Sequence, residues 1–351
     1  MKGYGVTTTG HSGWLEHPRP TAGPLDAIVR PTTVAPCTSD THTMHGGAGP
    51  IEDRILGHEA VGEVVEVGKL VKDFKPGDIV VVPCLTPNWL KPGIQEKYTA
   101  HESGPMTGFK FIFEKDGVFG ELFHVNCADA NLVHLPKNIS AEAAVITVDM
   151  MSTGFHGVEL ADVKYGDSVV VIGIGPVGLM AVAGAKLRGA GHIIGVGTRP
   201  GCVALAREYG ANDILSYKEG DLVEKVLAFY PGGVDAVVVA GGNQDTFRQS
   251  VEMLKPGGTV GSVLYYDSNH TLSMPATSWD LGMGNKNICS GFCPGGAARI
   301  KRMLNVIEFG RVDPAKMITH RYEGFEKIED AFLVMADKPQ DLVKPCVTIK
   351  W

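Results

Sequence analysis

The sequence contains no run of about 18 uninterrupted apolar residues, the length needed to cross a bilayer, so we expect no membrane partner. Its N-terminus, from Met1 to Val6, lacks the apolar stretch and small-residue cleavage site of a secretory signal, which favours a cytoplasmic protein. Basic residues are outnumbered, with 32 Lys and Arg against 39 Asp and Glu. The resulting net charge of −7 argues against a nucleic-acid partner.

Clustered cysteines are also missing. The seven cysteines are scattered and odd in number, and none lies between Cys84 and Cys127. This pattern is not typical of a disulfide framework, and a cytoplasmic setting keeps thiols reduced. We therefore interpret the cysteines as free thiols, one of which is available as a metal ligand.

The sequence pattern changes near position 150. Before it, short β-rich runs such as Ala60–Gly68 alternate with Gly and Pro turns, which indicates a mainly-β domain. After it, apolar strands from Ser168–Gly173 to Thr259–Tyr265 alternate with helical periods, as in a doubly wound parallel sheet. The remaining residues, 294–351, are too few for a robust domain of their own. We therefore predict an α/β protein with one domain at 1–152 plus 294–351 and a second domain at 153–293.

A glycine motif lies where the first of these parallel strands meets a helix. It reads Gly173, Ile174, Gly175, Pro176, Val177, Gly178. In this context Gly173 makes the tight turn, Gly175 lets backbone amides approach a pyrophosphate, and Gly178 allows close helix–strand packing. The motif predicts a dinucleotide site; the alternative is a glycine-rich connection with no ligand.

The next strand ends without the Asp or Glu that would bind the ribose 2′-hydroxyl of NAD. It ends instead in Gly197, Thr198 and Arg199. Gly197 leaves room, Thr198 offers a hydroxyl, and the planar fork of Arg199 suits the 2′-phosphate of NADP. A lone Arg is often a solvated surface charge, but the missing carboxylate favours NADP(H) as the cofactor.

Three segments of the first domain carry residues able to bind zinc, namely Cys37, the pair His58 and Glu59, and Asp149. Their separation is unlike the compact spacing of a zinc finger. A buried thiol, a core histidine and a helix N-cap are therefore open alternatives for Cys37, His58 and Asp149.

Longer motifs carry a family resemblance. They are Pro36–His42, Gly57–Gly62, Gly68, Lys75–Asp78, Asp116–Glu121, the glycine motif, Thr153–Gly157 and Cys293–Gly296. Through them the chain resembles, over nearly its full length, the zinc-containing medium-chain dehydrogenases. It is most similar to their tetrameric, NADP-dependent secondary alcohol dehydrogenases. The resemblance implies a GroES-like catalytic domain at 1–152 and 294–351, a Rossmann NADP-binding domain at 153–293, and a homotetramer.

The resemblance also implies one catalytic zinc per chain. Its ligands would be Cys37, His58 and Asp149, with Glu59 as a further ligand when neither substrate nor water occupies the position. Relatives with a structural zinc hold it with four closely spaced cysteines. Because no cysteine lies between Cys84 and Cys127, we expect no structural zinc here.

The mechanism that the resemblance implies is reversible oxidation of small secondary alcohols to ketones. Zinc polarises the substrate oxygen, hydride passes between the substrate carbon and nicotinamide C4, and a proton relay begins at Ser39 and runs towards His42. Without the family, the alternative for Ser39 and His42 is that they are turn residues after a strand. Further implied cofactor contacts are Tyr217, Val263, Leu264, Tyr265 and Lys338. Lys338 is equally well interpreted as a solvated loop charge.

The predicted substrate pocket departs from the family pattern. Its residues are Cys84, Leu85, Phe109, Met150, Phe292 and Cys293. Phe109 replaces a larger tryptophan, Cys84 an alanine, Leu85 an isoleucine and Phe292 a leucine. One methylene changes discrimination by about 1–3 kcal/mol, so these swaps leave the preferred alcohol or ketone open. The alternatives are a dehydrogenase of aldehydes, primary alcohols or polyols, and a non-catalytic NADPH-binding relative; an apolar pocket disfavours polyols.

Overall fold

The computed structural model describes residues 1–267 and 270–351, which form two compact units. Unit 1 comprises Met1–Ser152 and Pro294–Trp351, and unit 2 comprises Thr153–Cys293. Among the described residues, no helix has both the length and the apolar character needed to cross a membrane.

The helices and strands are numbered in chain order. Up to the end of unit 1's first segment they are β1 (Lys2–Thr8), β2 (His11–Glu16), β3 (Ala27–Val34), α1 (Thr38–Met44), β4 (Arg54–Ile55), β5 (Ala60–Val67), β6 (Ile79–Val82), β7 (Phe123–Val125), α2 (Ala128–Asn131), β8 (Val133–His134), α3 (Ala141–Ile146) and a π-helical turn (Thr147–Met151). They continue with α4 (Ser152–Leu160), β9 (Ser168–Ile172), α5 (Pro176–Leu187), β10 (His192–Val196), α6 (Pro200–Tyr209), β11 (Asp213–Leu215), α7 (Leu222–Phe229), β12 (Val234–Val239), α8 (Gln244–Glu252), β13 (Leu254–Ser262) and β14 (Asn287–Ser290). The last elements are α9 (Ala297–Glu308), β15 (Ile318–Glu323), α10 (Ile328–Asp337) and β16 (Lys344–Thr348).

Unit 1 is built on two sheets. The larger is seven-stranded, with the order β15-β16-β3-β5-β6-β8 and β7 paired to β3; the smaller has the order β2-β1-β4. Strand β16 runs antiparallel to β3, with Val347 opposite Val34, so the C-terminal segment completes the larger sheet. Apolar residues of the sheets, of the loop before β7 and of α10 pack into a core that includes Tyr4, Phe119 and Phe332. The β-rich prediction for this region holds for the sheets, but it missed α1, α2, α3 and the π-helical turn.

Unit 2 contains a parallel six-stranded sheet with the order β11-β10-β9-β12-β13-β14. The central strands β9 and β12 are nearly continuous valine runs, as expected for strands covered on both faces, and Val171 lies opposite Val238. The chain leaves β9 towards β10 and later returns on the other side to β12. Open α/β sheets bind ligands outside the carboxyl ends of the strands at such a switch point.

Two boundaries in unit 2 bear on the predicted cofactor site. Helix α5 begins at Pro176, directly after the glycine turn that follows β9. Strand β13 ends at Ser262, so Val263, Leu264 and Tyr265 follow it rather than belonging to it. The predicted strand Thr259–Tyr265 was therefore too long at its carboxyl end, because the apolar run continues past the last paired residue.

Candidate metal and dinucleotide sites

Four potential metal ligands of unit 1 converge in the structure. They are Cys37, His58, Glu59 and Asp149, and their ligand atoms all lie within 4.8 Å of one another. Asp149 Oδ2 lies 3.6 Å from Cys37 Sγ and 3.4 Å from His58 Nε2. Cys37, His58 and Glu59 are buried and Asp149 is half-buried. Segments that are distant in sequence therefore meet at one point.

Asp40 fixes the backbone and side chains around Cys37 and His58. Cys37 is the N-cap residue of α1, and its N–H donates to Asp40 Oδ2 at 2.9 Å. Asp40 Oδ1 accepts from the Gly57 N–H at 3.2 Å and lies 3.1 Å from His58 Nδ1. Because a histidine that donates through Nδ1 presents Nε2 as its free lone pair, fully buried Asp40 orients His58 towards the cluster.

Asp149 lies inside the π-helical turn Thr147–Met151. Its carbonyl accepts a hydrogen bond from the Ser152 N–H, whereas the N-cap of the preceding helix α3 is Ser140. The interpretation of Asp149 as a helix N-cap is therefore wrong. π-helical turns are rare in proteins, and those that occur are often found at functional sites.

Glu59 and Lys344 form a buried ion pair beside the cluster. Lys344 Nζ donates to Glu59 Oε1 at 2.6 Å, and both side chains are fully buried. Burial raises the pKa of Glu59 to about 7, against the opposing charge of Lys344. Among the described residues, buried Glu59 Oε2 has no hydrogen-bond partner. An unpaired buried carboxylate oxygen is costly, and a bound cation relieves that cost.

The other ligands are also electrostatically perturbed. Burial raises the pKa of the Cys37 thiol. Burial lowers the pKa of His58, but the charge of Asp40 and the hydrogen bonds to Asp149 and Asp40 outweigh it, so the net pKa is well above its ordinary value. Thiol and imidazole bind a metal only in their deprotonated forms. Metal binding would therefore release protons from this cluster.

The donor set fits zinc. Zinc in proteins takes thiolate, imidazole and carboxylate ligands at about 2.0–2.3 Å in a tetrahedron, which places ligand atoms roughly 3.3–3.8 Å apart. The 3.4 Å and 3.6 Å separations around Asp149 fall in that range. Magnesium and calcium favour oxygen ligands, so a thiol and an imidazole disfavour both.

Ser39 and His42 lie on helix α1, so the interpretation as turn residues after a strand is wrong. Ser39 Oγ lies 3.4 Å from His58 Nε2, at the edge of the metal cluster. His42 is three residues further along and exposed, and residues three apart share one face of a helix. The pair therefore leads from the cluster towards solvent.

The predicted pocket residues are divided between the two units. Cys84, Leu85, Phe109 and Met150 belong to unit 1, and Phe292 and Cys293 belong to unit 2. The Phe109 ring meets the His58 ring edge-on with centroids 5.4 Å apart, and Met150 lies in the same π-helical turn as Asp149. Phe109 and Met150 are therefore held next to the metal cluster.

The glycine loop of unit 2 has the backbone that its sequence predicts. Gly173 adopts φ +87°, a left-handed conformation that favours glycine. A Cβ on Gly178 would lie 1.9 Å from the Gly173 carbonyl oxygen, so the helix approaches the turn too closely for any side chain. Gly175 is the N-cap of α5, and Pro176 occupies the first helical position. The amides that begin α5 are thus available to an anion.

Thr198, Arg199 and Tyr217 form a polar group at the end of β10. The hydroxyls of Thr198 and Tyr217 are 3.5 Å apart, and Tyr217 is mostly exposed. Arg199 Nη2 lies 3.6 Å from the position of a Cβ on Gly175, so its guanidinium reaches over the glycine loop. These groups can contact an anion in front of α5.

Gly197 lies against the glycine loop. A Cβ there would lie 2.4 Å from the side chain of Ile174, so the absence of a side chain at Gly197 allows Ile174 to pack here. The small residue therefore shapes the loop. Lys338 belongs to unit 1, is exposed, and ends α10 with a left-handed φ of +50°.

Sequence reasoning missed Asp40 and Lys344. Asp40 stands three residues after Cys37 in the first turn of a helix, where an acidic residue commonly caps the backbone. Lys344 opens the last strand in an otherwise apolar stretch. A lysine in a buried strand position requires a buried acidic partner, which is a usable sequence signal.

Comparisons with known proteins agree with this architecture. Residues 23–137 match the family described as alcohol dehydrogenase GroES-like domain, and residues 176–308 match zinc-binding dehydrogenase. The chain is 55% identical to the NADP-dependent isopropanol dehydrogenase of Thermoanaerobacter brockii, over 99% of this chain and 100% of that protein. It is 54% identical to the protein of the same name from Clostridium beijerinckii, with the same coverage.

A solved structure supports the fold. The alcohol dehydrogenase from Thermus sp. ATN1 is 27% identical, covers 100% of both chains and superimposes with a TM-score of 0.86. The fold is thus a GroES-like domain with a Rossmann-type parallel sheet. This chain belongs to the zinc-containing medium-chain alcohol dehydrogenase family, in the branch that contains these isopropanol dehydrogenases.

Proposed function

We propose that this chain is an NADP(H)- and zinc-dependent alcohol dehydrogenase that interconverts small secondary alcohols and ketones. The convergence of Cys37, His58, Glu59 and Asp149 within 4.8 Å carries the proposal. Three relatives, each more than half identical to this chain, are named NADP-dependent isopropanol dehydrogenases, which supports the choice of cofactor and substrate class.

In this proposal Cys37, His58 and Asp149 hold one zinc ion, and Glu59 binds it when no substrate is present. Bound zinc supplies Lewis acidity towards a substrate oxygen. Asp40 keeps His58 Nδ1 hydrogen-bonded, so that Nε2 faces the cluster. Ser39 Oγ lies close enough to the cluster to exchange a proton with a substrate hydroxyl and pass it towards His42.

NADP(H) is proposed to bind unit 2, at 153–293. The first helical amides of α5 would receive the pyrophosphate, and Gly173, Gly175 and Gly178 permit its approach. Thr198, Arg199 and Tyr217 would bind the 2′-phosphate. The further proposed contacts are Val263, Leu264 and Tyr265 beyond β13, and Lys338.

The proposal extends to a homotetramer in the cytoplasm, with one zinc per chain and no structural zinc. Leu281 and Met283 support an assembly, because they are 69% and 83% exposed at the end of the 3₁₀-helical segment Ala276–Gly282. The neighbouring strand β14 pairs on one side only among the described strands of its sheet. The substrate pocket is proposed to be apolar, lined by Cys84, Leu85, Phe109, Met150, Phe292 and Cys293.

Two measurements on the purified protein test the proposal. Metal analysis should find about one zinc per chain, as expected for a single catalytic site. NADPH oxidation should proceed with short methyl ketones and much more slowly with polyols, since the unit 1 pocket residues are apolar. Absence of zinc would contradict the metal assignment, and inactivity with every short methyl ketone would contradict the substrate class.

The 2′-phosphate assignment predicts a change in cofactor preference. Arg199→Ala should raise KM for NADPH about ten- to hundredfold, the effect of losing a charged hydrogen bond, and leave KM for NADH nearly unchanged. The measurement is initial-rate kinetics with both cofactors. Arg207→Ala is the control, because Arg207 lies on the same helix and contacts the Asn212 carbonyl. Equal losses with NADPH and NADH would refute the role of Arg199.

A further inference from the structure

His17 joins two carboxylates that lie far apart in the sequence. Its Nδ1 lies 2.9 Å from Asp116 Oδ2, and its Nε2 lies 3.0 Å from Asp53 Oδ1. The His17 side chain is 11% exposed, so the ring is largely shielded from water. His17 follows β2, whereas Asp53 and Asp116 precede two separate segments of unit 1.

Both contacts require a protonated ring. A neutral imidazole has one N–H and one lone pair, whereas an ionised carboxylate accepts only. Only the imidazolium can therefore donate to Asp53 and Asp116 at once. Burial lowers the pKa of His17, but the two carboxylates outweigh it and raise the net pKa above its usual value of 6.5.

One of the two segments that His17 joins carries the proposed zinc ligand His58, and the other segment is hydrogen-bonded to it. Asp53 is followed by β4, and β4 leads directly to Gly57 and His58. Beyond Asp116, the N–H groups of Gly117, Val118 and Phe119 donate to the carbonyls of residues 55, 57 and 56 at 2.9, 2.9 and 3.0 Å.

The packing between these segments is close. A Cβ on Gly117 would lie 2.2 Å from the Leu56 carbonyl oxygen, and a Cβ on Gly57 would lie 2.4 Å from the Phe119 ring. A displacement of one segment must therefore displace the other. His17 contacts Asp53 and Asp116, the residues at which the two segments begin.

We propose that the His17 imidazolium is a positioning residue for the zinc ligand His58, acting through Asp53 and Asp116 as a pH-dependent clasp on the two segments. The inference rests on the proposed function, since it concerns the same zinc site. His17 itself touches neither the metal cluster nor the cofactor loop.

The α-ammonium of Met1 lies beside the backbone of His17. The Met1 α-ammonium donates to the His17 carbonyl at 2.5 Å and lies 3.9 Å from Glu16. Asp53 is largely exposed at 75%, and Asp116 is 21% exposed with its Oδ1 buried and without a partner among the described residues. Apart from the α-ammonium, the groups facing the ring are acidic and favour the imidazolium.

The direction of the pH dependence follows from the raised pKa. The clasp is complete below the ordinary pKa of histidine, about 6.5, and is lost as the pH rises through the higher folded-state value. Above that pH, the clasp should therefore no longer contribute to the retention of zinc. This contribution should vanish when His17 is removed.

The test uses the zinc-loaded enzyme and measures the rate of zinc transfer to a colorimetric chelator. His17→Gln should release zinc about three- to tenfold faster than wild type at about pH 6, because only part of the loss of a charge-assisted hydrogen bond reaches His58 through the two segments, and equally fast at about pH 9. His124→Gln is the matched control. It breaks another His–Asp contact of unit 1, 3.0 Å from Asp26, and His124 hydrogen-bonds to neither Asp53 nor Asp116.

The outcomes separate the two hypotheses. If wild type contains no zinc, the proposed function is contradicted. If wild type contains zinc, but the ratio of the zinc-release rates of His17→Gln and wild type does not change with pH, this inference alone is overturned. If His17→Gln does not fold, Asp53→Asn carries the test, because an exposed carboxylate is replaced by an amide that tolerates the left-handed φ of +48°. Asp53→Asn should release zinc faster at about pH 6 and like wild type at about pH 9; a pH-independent ratio would overturn the clasp.

Discussion

Cys37→Ser is expected to lower kcat for ketone reduction by at least about a thousandfold, because Lewis-acid catalysis contributes several kcal/mol to the barrier. The thiol of Cys37 is one of the buried donors of the metal cluster, and a serine hydroxyl is a much poorer ligand for zinc. Zinc content should fall well below one ion per chain. Metal analysis and NADPH oxidation with acetone measure the two effects on one preparation.

Cys127→Ser is the matched control for that substitution. Cys127 belongs to the same unit, is half-buried, and its Sγ lies 3.9 Å from Asn88 Oδ1 rather than near the metal cluster. This variant should keep its zinc and most of its activity. Retention of zinc and of more than about a tenth of the activity in Cys37→Ser would remove Cys37 from the ligand set.

The four central strands of the Rossmann-type sheet could be predicted from the sequence. Strands β9 and β10 are short, apolar and bounded by glycine, and each is followed by a helix that begins at a proline. Here local pattern and global fold agree, because parallel strands buried on both faces must be apolar along their whole length. Strand β13 runs from Leu254 to Ser262, whereas Thr259–Tyr265 was predicted, and the edge strands β11 and β14 were not predicted.

Unit 1 was harder to predict because its helices are short. Helix α1 has seven residues and a polar sequence, too short to show apolar periodicity, so Ser39 and His42 resembled turn residues. The π-helical turn at Asp149 leaves no pattern in sequence that distinguishes it from an ordinary helix start. The metal ligands themselves were found through motifs of the family, since spacing alone does not join distant segments.

The partners of the ligands could not be predicted for a related reason. Asp40 and Lys344 act through contacts to His58 and Glu59 that depend on tertiary structure. Gly197 illustrates the same limit within the cofactor unit. The sequence explains its missing side chain by the room that a ligand needs, and the structure adds that Ile174 packs against it.

Lys344→Met is expected to lower the free energy of unfolding by about 3–5 kcal/mol, because it leaves the carboxylate of Glu59 buried without its cation. Both side chains are fully buried and 2.6 Å apart, so water cannot replace the lost ammonium. The midpoint of urea denaturation, followed by tryptophan fluorescence, measures the loss. Lys327→Met is the control, since it breaks an exposed contact with Asp330 and should change the midpoint little.

A double variant tests the cause of this loss. Glu59→Gln removes the buried negative charge, so Glu59→Gln with Lys344→Met should recover much of the stability lost in Lys344→Met alone. If the double variant is as unstable as the sum of the two single variants, the lysine stabilises the protein through packing of its alkyl chain instead.

Zinc content of the same three variants then separates two functions of Glu59. We expect zinc content to fall in the variants that lack Glu59, and stability to fall when one partner of the Glu59–Lys344 pair is removed. That result would mean that the Glu59 carboxylate binds the metal through Oε2 and stabilises the fold through Oε1.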